Sequence, residues 1–199
     1  MDAPNGAAIA AGRLLVATPT LEDPNFRRSV VLILDHDEGD STLGVVLNRP
    51  TEVEVGQVLD GWAEVVTRPA VLFQGGPVAL DSALAVGRLP VAAKSTAGPP
   101  GWRALNGAPD GGRVGLVDLD APPTLLAGDL LQLRVFAGYS GWGAGQLRSE
   151  VEEGAWFIVA AEPGDAFTDT PDRLWQQVLR RQRNDLALVA TFPDDPTLN

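Results

Sequence analysis

His36 is the one histidine in a chain of 199 residues that has no cysteine. Thiolate chemistry is therefore excluded, and a zinc or iron site would have to be built almost wholly from carboxylates. No metal and no cofactor is expected. A hydrolase would need Ser140 as nucleophile, His36 as base and an acid such as Asp35 or Asp37. Ser140 lies in Gly138–Gly145 (GYSGWGAG), which lacks the second glycine of the G-x-S-x-G nucleophile elbow. His36 closes an apolar run between two aspartates. It reads either as an acid/base group or as a strand-end histidine bonded to a neighbouring loop.

Anion binding draws on a different set. Gly138, Gly141, Gly143 and Gly145 can present consecutive backbone N–H groups, with Trp142 among them and Gln146 opening the next segment. The closing Lys-Ser/Thr of a Walker loop is missing, and so is the G-x-G-x-x-G spacing. The same glycines would serve equally to let two packed elements cross. Gly75 and Gly76 in Gln74-Gly75-Gly76-Pro77 form a second such turn. Asn48 and Arg49 end the run LGVVLNRPT, where the arginine fork suits a carboxylate or phosphate, or an internal ion pair. If these turns converge, they form a site for a small anionic ligand or a protein partner. The acidic set Asp35, Asp37, Glu38 and Asp40 lacks the EF-hand order and reads as a solvated turn.

A net charge of −11 opposes approach to duplex DNA, and no long basic tract offsets it. The apolar runs fall well short of the roughly 18 residues that span a bilayer. No signal-peptide pattern opens the chain. A cytoplasmic protein with no membrane attachment is expected, and its acidity suits a monomer. Hydrophobic residues at 45% are enough for one sizeable core.

Period and punctuation then place the elements. Strands are expected at Arg13–Ala17, Ser29–Leu34, Leu43–Leu47, Val71–Phe73, Ala83–Val86, Arg113–Val117, Leu131–Ala137, Ala155–Ala160 and Leu186–Thr191, with a further short one near Trp102–Leu105. SVVLIL is apolar on both faces and reads as a central strand. Val55, Val58, Leu59 and Trp62 have helical spacing, Gly138–Gly145 reads as a loop feeding a helix that Gly154 ends, and Thr170-Pro171-Asp172 starts a third helix. Trp62, Trp142, Trp156 and Trp175 are expected in or near the core. Strands without regular βαβ alternation, against about three helices, indicate an α+β fold with a mixed, mostly antiparallel sheet. A single domain over 12–192 is expected, with a flexible leader at 1–11 and a tail at 193–199.

These segments together resemble the AlgH/YqgE family of bacterial proteins. The matching pieces are GRLLVATPTLEDPNFRRSVVLILDHDE, LGVVLNRPTEVEVGQVL, VLFQGGPV, GYSGWGAGQL with an acidic helix after it, AWFIV, and DRLWQQVLRR before DLALVATFP. The resemblance runs from about Gly12 to Phe192; the Gly/Pro/Ala-rich stretch at 92–112 departs from it. It implies a single α+β domain whose bifurcated sheet curls into a partial barrel. One branch carries the label of transcriptional regulator, which implies indirect regulation more readily than direct DNA contact. Asn25, His36, Asn48, Arg49, Pro50, Gly75, Gly76, Pro77, Gly138, Gly141, Trp142, Gly143, Gly145 and Gln146 match the family's motifs and define a candidate surface.

Overall fold

The computed structural model describes residues 7–37, 39, 41–91, 98–182 and 185–192. Glu38 and Asp40 of the acidic turn, and residues 92–97 of the Gly/Pro/Ala-rich stretch, lie outside them. The strands are β1 (Arg13–Ala17), β2 (Val30–His36), β3 (Ser41–Val46), β4 (Pro50–Glu54), β5 (Val71–Gln74), β6 (Val78–Arg88), β7 (Trp102–Ala104), β8 (Val114–Val117), β9 (Gln132–Gly143) and β10 (Trp156–Ala160). Helices are short: α1 (Pro109–Gly112), α2 (Gln146–Glu152), α3 (Leu174–Arg180) and α4 (Leu186–Val189). No helix among the described residues is long and apolar enough to cross a membrane.

The fold is α+β, a single domain in which one sheet curls into a half-barrel in the order β10-β1-β2-β3-β9-β6-β8-β7. Every pairing is antiparallel except β5 with β9. β2 is covered on both faces, as its unbroken apolar run requires. Val30, Leu32 and Leu34 face the cluster that receives Leu174, Trp175, Val178 and Leu179 of α3. Val31 and Ile33 face a second cluster holding Trp142, Leu147 and Trp156. A third cluster, around Trp62, Trp102, Leu126 and Leu133, fills the other end of the sheet.

The sheet forks along β9. Phe73 and Gln74 of β5 pair with Phe136 and Ala137, whereas Gly44 to Ser41 of β3 pair with Ser140 to Gly143. Gly75 stands at the fork: its N–H donates to Ala137 O at 2.9 Å and its carbonyl accepts from Val46 N at 2.8 Å. β6 then pairs with the opposite side of β9, from Val78 against Tyr139 onward. Residues 75–77 must therefore carry the chain over β9 within a span of roughly 10 Å, two inter-strand spacings. That crossing leaves no room for side chains. A Cβ on Gly75 would sit 2.3 Å from Gly138 O, and one on Gly76 would sit 2.2 Å from Tyr139 O. Gly138 is left-handed at φ 67°, which shifts the alternation so that Phe136 and Tyr139 both face the first cluster.

Two polar side chains fasten loops to this frame. Arg134 on β9 is 1% exposed and has no carboxylate partner among the described residues. Its Nε donates to Ala166 O, Nη1 to Thr67 O and to Pro69 O (2.9 Å), and Nη2 to Arg68 O and to Thr168 O (2.8 Å). The guanidinium also lies 4.2 Å from the centre of the Phe73 ring. Burial pushes its pKa down to about 10, still well above neutrality. On the other side of the sheet, one oxygen of Glu150 accepts from both Trp142 Nε1 and Trp156 Nε1, each at 2.9 Å, and so seats α2.

The structure corrects three expectations from the sequence. Residues 138–143 are strand, not loop, because their ladder with β3 uses the backbone groups a ligand would need. The segment from Leu186 is a helical turn, with Leu186 and Ala190 one turn apart and buried against the α3 side. Short apolar runs do not distinguish strand from helix by period alone. The helical pattern from Val55 yields only a 3-10 turn, Val55–Gln57, followed by irregular turns. Pro50 begins an edge strand, a place where a missing N–H costs nothing.

Three stability outcomes follow, each readable by urea unfolding. Gly75→Ala should lose about 3 kcal/mol or fail to fold, because its Cβ meets backbone, whereas Gly143→Ala should stay within about 0.5 kcal/mol. Arg134→Met should lose at least about 3 kcal/mol, since several buried carbonyls lose their donor at about 1–3 kcal/mol each. Glu150→Leu should cost about 2–4 kcal/mol by stranding two buried indole N–H groups, and Glu150→Gln clearly less.

Candidate functional site

Most of the predicted residues fall into two groups at opposite ends of β3, while Gly75, Gly76, Gly138 and Ser140 lie at the chain crossing. Thr42 and Asn48 bracket that strand, and six extended residues separate them by about 20 Å.

At one end lie His36, Gly141, Trp142, Gly143, Gly145 and Gln146. Thr42 pairs with both His36 and Trp142 across the sheet, and Ser41 pairs with Gly143. His36 Nδ1 is 2.7 Å from Thr42 Oγ1, and its buried Nε2 has no hydrogen-bond partner among the described residues. A cleft of about 20 Å³ opens here, lined by His36, Thr42, Gly143, Leu147 and Arg148 among others. That is room for one water molecule. Gly143 N donates to Gln146 Oε1 at 3.1 Å, and Gln146 Nε2 donates to Glu150 Oε1 at 3.0 Å. Trp142 is 3% exposed and stacks on Phe26, so it belongs to the core.

Ser140 is fully buried and donates to Gly75 O at 3.0 Å. His36 and Ser140 each bond elsewhere rather than to one another. Ser140 instead closes the chain crossing, together with Gly75, Gly76 and Gly138.

At the other end lie Asn25, Asn48 and Arg49, beside Gln74, whose N–H donates to Arg49 O at 2.8 Å. The loop from residue 21 to 29 between β1 and β2 is folded by Asp23, whose carboxylate accepts from Asn25 N and whose carbonyl accepts from Phe26 N and Arg27 N. Arg28 is left-handed at φ 53°, uncommon for a residue with a side chain. Asn48 holds that turn: its Oδ1 accepts from Val30 N and its Nδ2 donates to Arg28 O, both at 2.9 Å. The Arg49 guanidinium donates to Arg27 O and, at 3.4 Å, to Asn48 O. Arg28 reaches the other way, over the Trp175 ring at 4.3 Å and to Phe192 O at 3.0 Å.

Arginines 27, 28 and 49 thus meet at one loop. Burial lowers the Arg49 pKa, yet guanidinium stays charged in proteins. Among the described residues no carboxylate pairs with Arg49. A pair that sequence spacing did not reveal is Arg181 with Asp165, bidentate at 2.6 and 2.7 Å. Arg134 was equally hidden. A lone arginine in an apolar run (LQLRVFAG) was its signal. The described residues hold no group of three or more His, Asp or Glu side chains placed for a metal ion.

A family model described as AlgH-like (DUF179) matches residues 14–187. The UPF0301 protein of Streptomyces avermitilis is 61% identical over 188 residues, 94% of each chain. That of Mycobacterium tuberculosis is 45% identical over 197 residues, 99% of this chain and 94% of its own. A crystal structure of a Corynebacterium diphtheriae protein superposes with a TM-score of 0.85 at 35% identity, covering 94% of both chains. The solution structure of the AlgH protein from Pseudomonas aeruginosa gives 0.63 at 24% identity, covering 92% of this chain and 94% of its own, which speaks to the fold alone. The chain belongs to the AlgH-like, UPF0301 family.

Proposed function

We propose that this is a binding protein whose arginine loop holds a small anion bearing a carboxylate or phosphate. One observation carries the reading: the half-buried guanidinium of Arg49 is fixed by carbonyl oxygens and has no carboxylate partner among the described residues. Two of its donors face backbone, which orients the fork and leaves further N–H groups for a ligand. Arg27, whose carbonyl accepts from Arg49, and Asn25 are both exposed on the turn that Arg49 touches. In a chain of net charge −11, such a cationic spot is a local reversal of sign that concentrates anions. The glycines of the motifs support the reading indirectly, by fixing the strand ends from which Arg49 and Gln74 emerge. A regulatory role would then follow from ligand occupancy, without contact to DNA.

Calorimetric titration at low ionic strength with pyrophosphate and with citrate tests this. Wild type should bind at least one of them, and added salt should weaken it. Arg27→Ala, a surface change, should weaken binding roughly tenfold, or about 1.4 kcal/mol. Arg49→Lys keeps the charge but loses the fork and should weaken it by a similar factor. Absence of binding to either anion in wild type, or equal affinity in both variants, refutes the reading.

A further inference from the structure

A large concavity lies away from the arginine loop, and none of the candidate site residues read from the sequence pointed to it. It is a cleft of about 860 Å³, within the size range of ligand grooves. It is lined by the end of β4 and the turns after it, with Glu54, Ala63, Glu64 and Val66, by Pro69, Ala70 and Val71, and by Asp169 from a separate loop. The lining combines these apolar residues with three carboxylates against the single guanidinium of Arg68.

Two further features bear on what occupies it. β4 pairs with β5 alone, so its outer edge has no strand partner among the described residues. Its residues are mostly exposed, Val53 at 40%. Both sides of the cleft are also held rigid from below. The carbonyls that Arg134 gathers belong to residues 67, 68 and 69, in the segment that lines the cleft, and to 166 and 168 beside Asp169. A fully buried cation spent on these two loops fixes the cleft's shape before anything enters it.

We infer that this cleft and the β4 edge dock an extended, basic peptide segment of a partner protein, which adds a strand to β4 and lays alternate cationic side chains among Glu54, Glu64 and Asp169. An open edge offers main-chain hydrogen bonds, and the side pockets supply selectivity. Charge selects the occupant. A second copy of this edge would bring Glu52 and Glu54 against themselves, which like-charge repulsion opposes, whereas a lysine- or arginine-bearing strand is complementary. The inference does not rest on the anion reading, since the residues involved are different.

Fluorescence anisotropy with a labelled peptide of alternating lysine and valine tests it on the full chain. Wild type should bind this peptide and not its glutamate–valine counterpart. N-methylation of alternate peptide amides should weaken binding at least roughly tenfold by removing the strand's donors. The triple variant Glu54→Lys, Glu64→Lys, Asp169→Lys should lose at least as much, while Glu22→Lys, Asp129→Lys, Glu152→Lys, equal in charge and elsewhere on the surface, should bind as wild type does. Arg27→Ala should also bind normally, which separates this outcome from that of the anion site. Failure of wild type to bind, equal loss in the two triple variants, or indifference to N-methylation would each overturn the proposal.

Discussion

The architecture hangs on one close approach of backbone to backbone. β5 and β6 are joined by three residues, yet they lie on opposite sides of β9, so the chain must step over that strand at Gly138–Ser140. Carbonyl oxygens sit where Cβ atoms would be, and only glycine can occupy positions 75 and 76 without prising the strands apart. The fork in the sheet, the twin hydrogen bonds of Gly75 and the burial of Ser140 all follow from that crossing. β3 and β5 can share one side of β9 only because Gly75 hands the ladder from one to the other.

Arg134 extends the same frame to the loops. It projects from β9 just before the fork and binds five backbone carbonyls, a role usually filled by a strand or a cap. A buried charge without a counter-ion is expensive unless its donors are all occupied. Here the carbonyl dipoles and the Phe73 ring meet the guanidinium from both directions. Two loops distant in sequence, one near residue 68 and the other near 167, become parts of a single wall. Glu150 acts in the same way on the opposite face, where one carboxylate ties two indoles and thereby α2 to the sheet.

These fastenings change how the motif residues are understood. Gly75, Gly76, Gly138 and Ser140 look like ligand-cradling elements in the sequence, yet their open valences are taken up by the crossing itself. Asn48 holds the turn that carries Arg27 and Arg28. What faces outward is simpler than the motifs suggest: an arginine-bearing loop at one strand end and a cleft with an apolar and acidic lining elsewhere. Each is fastened by polar groups of the frame beneath it.

Much of the fold was legible because its signals are local. SVVLIL declared a doubly covered strand, the tryptophans declared core, and the ordered motifs carried the family resemblance. Arg49 was readable as a planar donor fork just past the end of the apolar run LGVVL. What tertiary structure alone decided concerns partners far apart in the chain. Glycines that permit a ligand cradle equally permit a strand crossing, and only the position of β9 between β5 and β6 selects the second use. Leu186–Val189 became helix through contact with α3, because four apolar residues have no period of their own. Arg134 finds its acceptors 32 to 67 residues away, and no spacing rule encodes a hydrogen bond across that separation. The sequence determined which groups could do chemistry; three-dimensional packing determined which of them were already occupied, because a donor or a void is used up by whatever the fold brings against it.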